Sequence, residues 1–483
     1  MKHPIPLLLI AVTVLSGFSQ QKNPAEIYEE FKKSAIGSYN SFRDECNQNY
    51  AEFLKTAWEW YNGEAPLPRP KEDNPVPPRP YEPIDDEPVV VVPQPVKPIE
   101  PLPQPKPLSP IKENPAPVDV AFPVKFYGIT SEIRLPEVAK TKLKDLSPNS
   151  LSDAWQRLGS DDLNNTIRDC LEARIRYNLC DWAYLQFLQQ MASQFCGDDN
   201  TATFLAAFLF CQSGYQMRLA DDAGRLVILV GSRHSIYEKP YYLLDGVTFY
   251  PVSQSSNRIK ICNAKYEGET PLSLFITEEQ ALGADLSEAR QIKSKRFADV
   301  EATSRVPREL IKFYDSYPTS AFGNNPLTRW AMYADTPLAE KTKQSLYPAL
   351  RKAIEGNTDL DAVNKLLNWV QTGFVYEYDD KVWGHDRAFF AEETLYYPYA
   401  DCEDRAILFS RLVRDLLGLD VALVYYPGHL AAAVKFNEDV KGDAMMINGE
   451  RFTVCDPTYI GAPVGRQMPD LDHANARAIV LKK

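Results

Sequence analysis

The sequence predicts an α+β fold with two domains, an antiparallel sheet in the C-terminal one, and a helical and proline-rich region before them. Helical patterns of apolar residues precede runs of strand-forming residues twice, within residues 118–305 and within residues 306–483. A proline-rich segment separates these regions from an N-terminal helical pattern. A length of 483 residues and a hydrophobic content of 44% are enough to build two cores.

Residues 1–19 have the pattern of a secretory signal peptide. Lys2 gives a basic start, residues 7–14 an apolar core, and residues 17–19 a small-x-small cleavage site. The apolar run is short for a membrane span, and an uncleaved membrane anchor is the alternative. We expect an exported protein, periplasmic or extracellular, with no transmembrane span in the mature chain.

Residues 23–62 are predicted to form one long amphipathic helix. Its apolar stripe is rich in aromatic side chains and cannot be buried by the helix alone. The stripe comprises Ile27, Phe31, Ala35, Tyr39, Phe42, Cys46, Tyr50, Phe53, Ala57 and Trp60. The helix must fold back on the chain, which is the favoured interpretation, or self-associate, or contact a partner.

Residues 66–117 contain half of the 38 prolines of the chain. Proline removes backbone donors and the apolar content is sparse, so no packed core is expected here. The segment is predicted to be an extended, semi-rigid polyproline II spacer that proteases can cut. A ligand for a proline-binding module is the alternative.

Residues 118–305, called the middle domain below, are predicted to fold as a separate α+β unit. Helices are expected at residues 163–176, 182–195 and 200–211, and strands at residues 215–219, 226–231, 241–244 and 247–252. Cys211 and His234 are assigned to structure, because Cys211 lies within an apolar helical pattern and no carboxylate stands at a matching strand end.

Residues 306–483 contain the residues best suited to catalysis. The predicted helices and strand before them lie at residues 309–317, 341–354, 360–372 and 374–378, followed by an aromatic loop at 383–399. Cys402 stands at the start of an apolar helical pattern that Gly418 ends. Three strands follow, predicted at residues 421–426, 430–436 and 451–455. His429 opens the second strand and Asp456 follows the third.

Cys402, His429 and Asp456 supply the parts of a nucleophilic triad. A helix N-terminus lowers the pKa of a thiol, and the thiolate is the attacking form. A histidine can take the proton and pass it to a leaving group, while an aspartate on its other nitrogen fixes the tautomer. Taken singly, the three residues are more typical of a buried thiol, a surface imidazole and a turn carboxylate. Taken together they favour a triad.

At these positions the chain resembles the transglutaminase-like superfamily of the papain-like group. The matching motifs are DCEDRA, GH and DPT, which contain Cys402, His429 and Asp456 respectively and lie within residues 341–465. Ala400 departs from the glycine usual in the family. The resemblance implies a papain-like/transglutaminase-like core in which the cysteine is the nucleophile, the histidine the base and the aspartate its partner.

The function implied by the resemblance is that of a thiol enzyme acting on amide bonds through an acyl-enzyme. Hydrolysis of a peptide or isopeptide bond in a peptide or protein substrate is the leading interpretation. Protein-glutamine acyl transfer to an amine is the runner-up, and an envelope scaffold with a vestigial triad is the third. The backbone N–H of Cys402 is expected to bind the oxyanion, with a second donor from Trp383, Tyr396 or Tyr397 in the preceding loop.

Charge and motif content argue against several other classes. A net charge of −12 is unfavourable for a nucleic-acid partner. The chain has no glycine-rich phosphate loop and no CxxC or HExxH spacing, so no cofactor and no metal is predicted. With Cys402 as a free nucleophile, most of the other seven cysteines are expected to be buried free thiols.

Residues 200–252 and 402–457 share one order of predicted elements, a helix followed by three strands. A glycine ends each helix, and an Asx-Gly pair turns each last hairpin. These residues are Gly214 and Gly418, and Asp245-Gly246 and Asn448-Gly449. Aligning the two glycines places Asp198 opposite Cys402. The middle domain is either a degenerate copy of the catalytic one, suited to binding or positioning substrate, or a chance match of a common order.

Overall fold

The computed structural model describes residues 41–71, 75–83, 87–96, 121–159, 163–197 and 199–482. The predicted signal peptide, residues 23–40 of the predicted helix and residues 97–117 of the proline-rich segment lie outside the described residues. The described chain is mixed α and β with mainly antiparallel sheets, which confirms the predicted class. Of the helices described, none is both long and apolar enough to cross a membrane.

The N-terminal helix, α1, covers residues 41–56 of the described chain and packs on the middle domain. Cys46, Tyr50 and Leu54 are buried on its inner face, and the Tyr50 ring lies 4.3 Å from that of Trp155. The prediction of a helix to residue 62 is wrong at its end, because Trp58–Asn62 forms a strand, β1. The described part of this helix therefore folds back on its own chain.

The middle domain begins with a hairpin and four helices and continues with a sheet. The hairpin and helices are β5 Ala121–Phe126, β6 Ile129–Arg134, α2 Pro148–Leu158, α3 Asn164–Arg176, α4 Asp181–Cys196 and α5 Asn200–Gln212. The strands are β7 Met217–Asp222, β8 Arg225–Ser232, β9 His234–Ile236, β10 Tyr242–Leu244, β11 Val247–Pro251, β12 Arg258–Cys262, β13 Arg290–Lys293 and β14 Glu301–Ser304. The main sheet has the order β1-β12-β7-β8-β11-β10, and its five middle-domain strands are called the middle sheet.

The C-terminal part repeats helices before strands. Its first elements are α6 Arg308–Asp315, β15 Ser320–Phe322, α7 Thr328–Asp335, α8 Glu340–Ile354, α9 Asp359–Gly373, α10 Asp379–Val382, α11 Ala391–Tyr396 and α12 Cys402–Leu417. Its later strands are β16 Asp420–Tyr426, β17 His429–Lys435, β18 Ala444–Ile447, β19 Glu450–Cys455, β20 Tyr459–Ile460 and β21 Arg477–Val480. Residues 374–378, predicted as a strand, form only one isolated bridge, between Val375 and Tyr399.

The two parts share one continuous cluster of buried apolar side chains rather than standing apart. Strands β13 and β14, inside the predicted middle domain, pack on α9 and α8 of the C-terminal part. Across this boundary the indole nitrogen of Trp369 donates to the carbonyl of Ile292 at 3.0 Å. A boundary near residue 290 fits the packing better than the predicted one at 305.

The proline-rich segment supplies strands to the C-terminal part instead of acting as a free spacer. It forms β2 Arg79–Pro80, β3 Val90–Val91 and β4 Gln94–Val96. Each of these pairs in parallel with one strand of the C-terminal part: β2 with β20, β3 with β18 and β4 with β21. The described residues of this segment are extended as predicted, but they are bound along the protein, which corrects the spacer prediction.

The main C-terminal sheet is curled until its two edges meet. Its order is β3-β18-β19-β17-β16-β21-β4, so that β3 and β4 form opposite edges. Only Val92 and Pro93 separate these two strands in the chain. Seven strands laid flat would place the outer two about 29 Å apart, whereas three residue steps span at most about 10 Å. The sheet is therefore close to a closed barrel, and β18, β19, β17, β16 and β21 are called the C-terminal sheet.

Candidate active site

Helix α12 places Cys402 at its first turn. Asp401 is the N-cap residue, and its N–H donates to Asp404 Oδ2 at 3.2 Å. Gly418 ends the helix in the left-handed conformation, with φ of 68°, as the sequence predicts. The apolar face of α12 packs on β16 and β17, so its first turn lies against the C-terminal sheet.

His429 and Asp456 form a buried pair at the ends of two neighbouring strands. His429 opens β17, Asp456 follows β19, and these strands pair with each other. His429 Nε2 and Asp456 Oδ2 are 2.9 Å apart, and both side chains are fully buried. The other carboxylate oxygen accepts the N–H groups of Thr458 and Tyr459 at 2.8 and 3.2 Å, which fixes its orientation. The Nδ1 atom of His429 has no hydrogen-bond partner among the described residues.

The Cys402 sulfur lies beside the residue that follows His429. It accepts a hydrogen bond from the N–H of Leu430 and lies 3.3 Å from Glu403 Oε2. Its side chain is buried, like the imidazole and carboxylate of the pair. The structure therefore brings all three sequence-predicted residues to one place, with no direct thiol–imidazole hydrogen bond between the described side chains.

The electrostatics of Cys402 differ from the sequence prediction. Burial raises the pKa of the Cys402 thiol well above its ordinary value, and the carboxylates of Glu403 and Asp401 raise it further. The Leu430 N–H opposes this effect and is the weaker influence. The expectation of a low thiol pKa, from a helix N-terminus combined with a histidine base, is thus corrected, because burial and two acidic neighbours raise the pKa.

A cavity of about 270 Å³ opens at Cys402. Part of its wall is the proline-rich segment, which contributes Lys71 and Pro75. Lys71 Nζ donates to Asp380 at 2.9 Å, and the N–H of Val76 donates to the carbonyl of Gly428 at 2.8 Å. The described residues on either side of positions 72–74 are thereby held at the cavity, and the contact of Val76 lies one residue away from His429.

The predicted oxyanion side chains do not line this cavity. Trp383 and Tyr397 pack edge to face, and the Arg387 guanidinium lies 4.5 Å from the centre of the Trp383 ring. The Tyr397 hydroxyl donates to Asp315 at 2.8 Å, and Tyr396 lines a separate surface cleft.

Tyr376 and Tyr378 line the cavity instead. Tyr376 lines the same cavity as Cys402, burial raises the pKa of its phenol, and the negative charge of a Cys402 thiolate raises this pKa further. The sequence predicts residues 374–378 as a strand and gives no sign that its two tyrosines face the cavity.

Acidic side chains surround the thiol in two groups that could hold a cation. Ligand atoms of Asp401, Cys402 and Glu403 lie within 4.8 Å of one another, as do those of Asp379, Asp386 and Glu403. Burial, followed by repulsion from Glu403, raises the pKa of Asp379 to about 8. No metal-ligand spacing was visible in the sequence because the second group is assembled from separate segments.

One positive charge is already paired with the second acidic group, Asp379, Asp386 and Glu403. The Arg329 guanidinium lies 3.5 Å from Asp386 Oδ2 and is almost fully buried. Each of the three carboxylates in this group lines the cavity at Cys402. The site as a whole therefore presents a buried thiol, an oriented imidazole and more acidic than basic side chains.

Other cysteines and histidines singled out in the sequence occupy structural positions. All eight cysteines are unpaired and seven of them are buried, as predicted. Cys211 is buried in α5, and His234 lies between the rings of Phe275 and Phe322 while its Nε2 accepts the N–H of Leu274.

No protein-family model matches this chain, and no curated protein or solved structure is similar to it.

Proposed function

We propose that the protein is an exported thiol enzyme that acts on amide bonds through Cys402, His429 and Asp456. The observation that carries this proposal is the fully buried pair of His429 and Asp456, one residue before Leu430, whose N–H donates to the Cys402 sulfur. His234, a structural histidine of this chain, also has an Nδ1 without a described partner, so the Asp456 carboxylate and the position next to Leu430 are what mark His429 as the catalytic histidine candidate. A catalytic one needs a free acceptor toward its nucleophile.

The proposed reaction uses the imidazole as a general base. Asp456 accepts the Nε2 proton of His429, which leaves Nδ1 as the acceptor. As Sγ of Cys402 attacks the amide carbonyl carbon, its proton moves to Nδ1, and the imidazolium then gives this proton to the departing amine. Water, deprotonated by the same nitrogen, next attacks the thioester, which releases the acid and restores the thiol.

A high thiol pKa favours this concerted route over a preformed thiolate–imidazolium pair. The carboxylates beside the sulfur stabilise the neutral thiol relative to the thiolate. The same carboxylates would stabilise the imidazolium that forms during attack. Proton transfer to His429 is then part of the attack itself, so that the enzyme should depend on the imidazole more strongly than one whose thiol ionises independently.

The order of the three residues supports a papain-like/transglutaminase-like core as part of the proposal. The thiol stands at a helix start, the imidazole at the start of the second strand of the C-terminal sheet, and the carboxylate after a neighbouring strand. Peptide or isopeptide bonds of a polypeptide are the proposed substrates. Export rests on the signal-like pattern of residues 1–19.

Acyl transfer to an amine is the second candidate, favoured by the acidic cavity. Glu403 lines the cavity beside the thiol, and a carboxylate at a cavity mouth attracts an ammonium group. An amine that loses its proton there could replace water in the second step. Adding a primary diamine to the reaction separates the two outcomes, because transfer gives an amide product that mass spectrometry distinguishes from the free acid.

A peptide-library digestion tests the proposed function. Wild-type protein should cleave a subset of peptides, and Cys402→Ala and His429→Ala should each reduce cleavage about a thousandfold or more. Cys455→Ala, which removes another buried thiol on the same sheet, is the matched control and should retain cleavage. Cleavage that survives Cys402→Ala would refute the assignment of the nucleophile.

A further inference from the structure

The middle domain and the C-terminal part repeat one arrangement of helix and sheet. The middle sheet has the order β12-β7-β8-β11-β10, and the C-terminal sheet has the order β21-β16-β17-β19-β18. All neighbours in both sets are antiparallel. Each set follows a helix, α5 or α12, that packs on its first two strands. Each set has one inserted strand that pairs outside its sheet, β9 in the middle domain and β20 in the C-terminal part.

The turns extend this correspondence to single residues. Arg225 opens β8 as His429 opens β17, each after a two-residue turn. The later hairpins both turn at two residues with positive φ, 51° and 80° at Asp245-Gly246 and 51° and 83° at Asn448-Gly449. Such pairs are typical of type I′ turns. Aligning the two sheets residue by residue from the first hairpin turn or from the later one gives the same correspondence of their strands.

Other side chains occupy the catalytic positions of the middle sheet. Arg225 takes the place of His429, and Ser253 takes the place of Asp456. The two replacements still meet, because Arg225 Nη1 donates to Ser253 Oγ at 3.3 Å. Neither can act as the base of a thiol, since the guanidinium stays charged.

Asn200 takes the place of Cys402. Its Oδ1 accepts the N–H of Leu226 at 2.8 Å, as the Cys402 sulfur accepts the N–H of the equivalent residue, Leu430. Asp198, which the alignment of the helix-ending glycines placed here, lies outside the described residues. The described residues at the three equivalent positions therefore include no nucleophile and no general base.

A cavity remains at this position, with a volume of about 590 Å³. It is larger than the one at Cys402 and is lined mainly by uncharged polar side chains. These are Gln186, Gln189, Gln190, Ser193, Asn200, Thr203 and Ser253. Gln186 Oε1 has no hydrogen-bond partner among the residues that the structure describes. The charge of Arg225 at the cavity is balanced by Asp222, 2.8 Å away.

The lining suits a peptide main chain. A side-chain amide presents one acceptor and two donors, which complement the C=O and N–H groups of a peptide. Three glutamines on one face of α4 repeat this pattern along the cavity. A strongly anionic ligand would lack a free counter-charge, since Arg225, the one cation in the lining, is already paired with Asp222. Asp199, the one acidic residue in the lining, accepts the N–H groups of Thr201 and Ala202 at the start of α5.

We propose that this middle cavity binds an extended peptide segment and so holds a polypeptide substrate for Cys402. The proposal rests on the proposed function for the identity of its ligand. Two linked sites on one substrate raise the effective concentration of the scissile bond, which lowers KM for long substrates and leaves short ones unaffected.

A substitution that fills the cavity tests the proposal by peptide binding alone, with no cleavage reaction. In full-length Cys402→Ala protein, Gln190→Trp should weaken binding to an array of 15-residue peptides about tenfold or more. Arg225→Ala is a second, milder variant that opens rather than fills the site. Ile175→Trp, at a side chain that is 75% exposed on α3, is the matched control and should bind as the parent does. Equal thermal midpoints establish that all three variants fold.

Cleavage kinetics, measured in protein that retains Cys402, complete the test. Gln190→Trp should raise KM for an unfolded protein substrate about tenfold, with kcat and the cleavage of a tetrapeptide unchanged. Unaltered peptide binding and KM would overturn the proposal, as would a Cys402→Ala protein that binds no peptide. If cleavage depends on the triad but Gln190→Trp does not change peptide binding, the proposed function stands and the middle cavity is not the binding site. If Gln190→Trp abolishes peptide binding but the wild-type protein cleaves no substrate, only the proposed function is refuted.

Discussion

Removing the negative charge of Glu403 should make Cys402 more reactive. Glu403 Oε2 lies 3.3 Å from the sulfur, inside a buried site. Two unit charges at that distance repel by about 1.3 kcal/mol in the dielectric of bulk water and by about 5 kcal/mol at an effective dielectric of ~20. These energies correspond to a fall in the thiol pKa of about 1 to about 4 units on substitution by glutamine.

The labelling rate should increase by less than the fraction of Cys402 that is present as thiolate. A thiol of lower pKa is also a weaker nucleophile, which cancels roughly half of the effect on a logarithmic scale. Glu403→Gln should therefore raise the rate of alkylation of Cys402 at neutral pH by about threefold to about a hundredfold. Iodoacetamide labelling followed by peptide mass spectrometry measures this rate. Wild-type labelling should keep rising above pH 9, since the thiol pKa lies well above its ordinary value.

Glu355→Gln is the matched control, because Glu355 is an exposed carboxylate just after α8. It should leave labelling of Cys402 unchanged. A slower rate in Glu403→Gln would refute the reasoning: the carboxylate would then be holding a cation or the imidazolium beside the thiol, and its net effect would favour the thiolate.

Three further substitutions probe the site. Asp456→Asn should lower kcat/KM about a thousandfold or more, because an amide no longer holds His429 in the tautomer with a free Nδ1; retained activity would show that the pair is structural. Val76→Pro removes the N–H that donates to Gly428 and should raise alkylation of Cys402 several-fold relative to Val76→Ala, whereas an equal rate would mean that the segment does not restrict access. Tyr376→Phe should reduce kcat about a hundredfold with little change in KM if its hydroxyl binds the oxyanion, and an unchanged kcat would exclude it.

The fold near Cys402 could be predicted because its signals are local. Apolar spacing gave α12, Gly418 its end, and Pro427-Gly428 the turn that separates β16 from β17. The order of these elements was enough to bring His429 to the thiol. Each of these features depends on residues close together in the sequence.

The features that the sequence did not reveal depend on distant packing. Tyr396 and Tyr397 are close to Cys402 in sequence, but Tyr397 packs against Arg387 and donates to Asp315, and Tyr396 lines a separate cleft. The pairing of β2, β3 and β4 could not be predicted from a proline-rich composition. Such a composition indicates an extended chain but does not indicate the strand with which that chain pairs. The raised pKa of the thiol likewise follows from burial and from side-chain positions in three dimensions.

Closure of the C-terminal barrel by β3 and β4 has a consequence for the order in which the protein can fold. Val96 pairs with Ile479, so the two partners are roughly 380 residues apart in the sequence, a contact of very high order. A chain emerging from the ribosome or from a translocation channel can form α1 and the middle sheet early. The barrel cannot close until β21 has been synthesised, because β21 joins β16 to β4. The thiol site, whose His429 and Asp456 lie at the ends of barrel strands, is therefore completed only when nearly the whole polypeptide has been made.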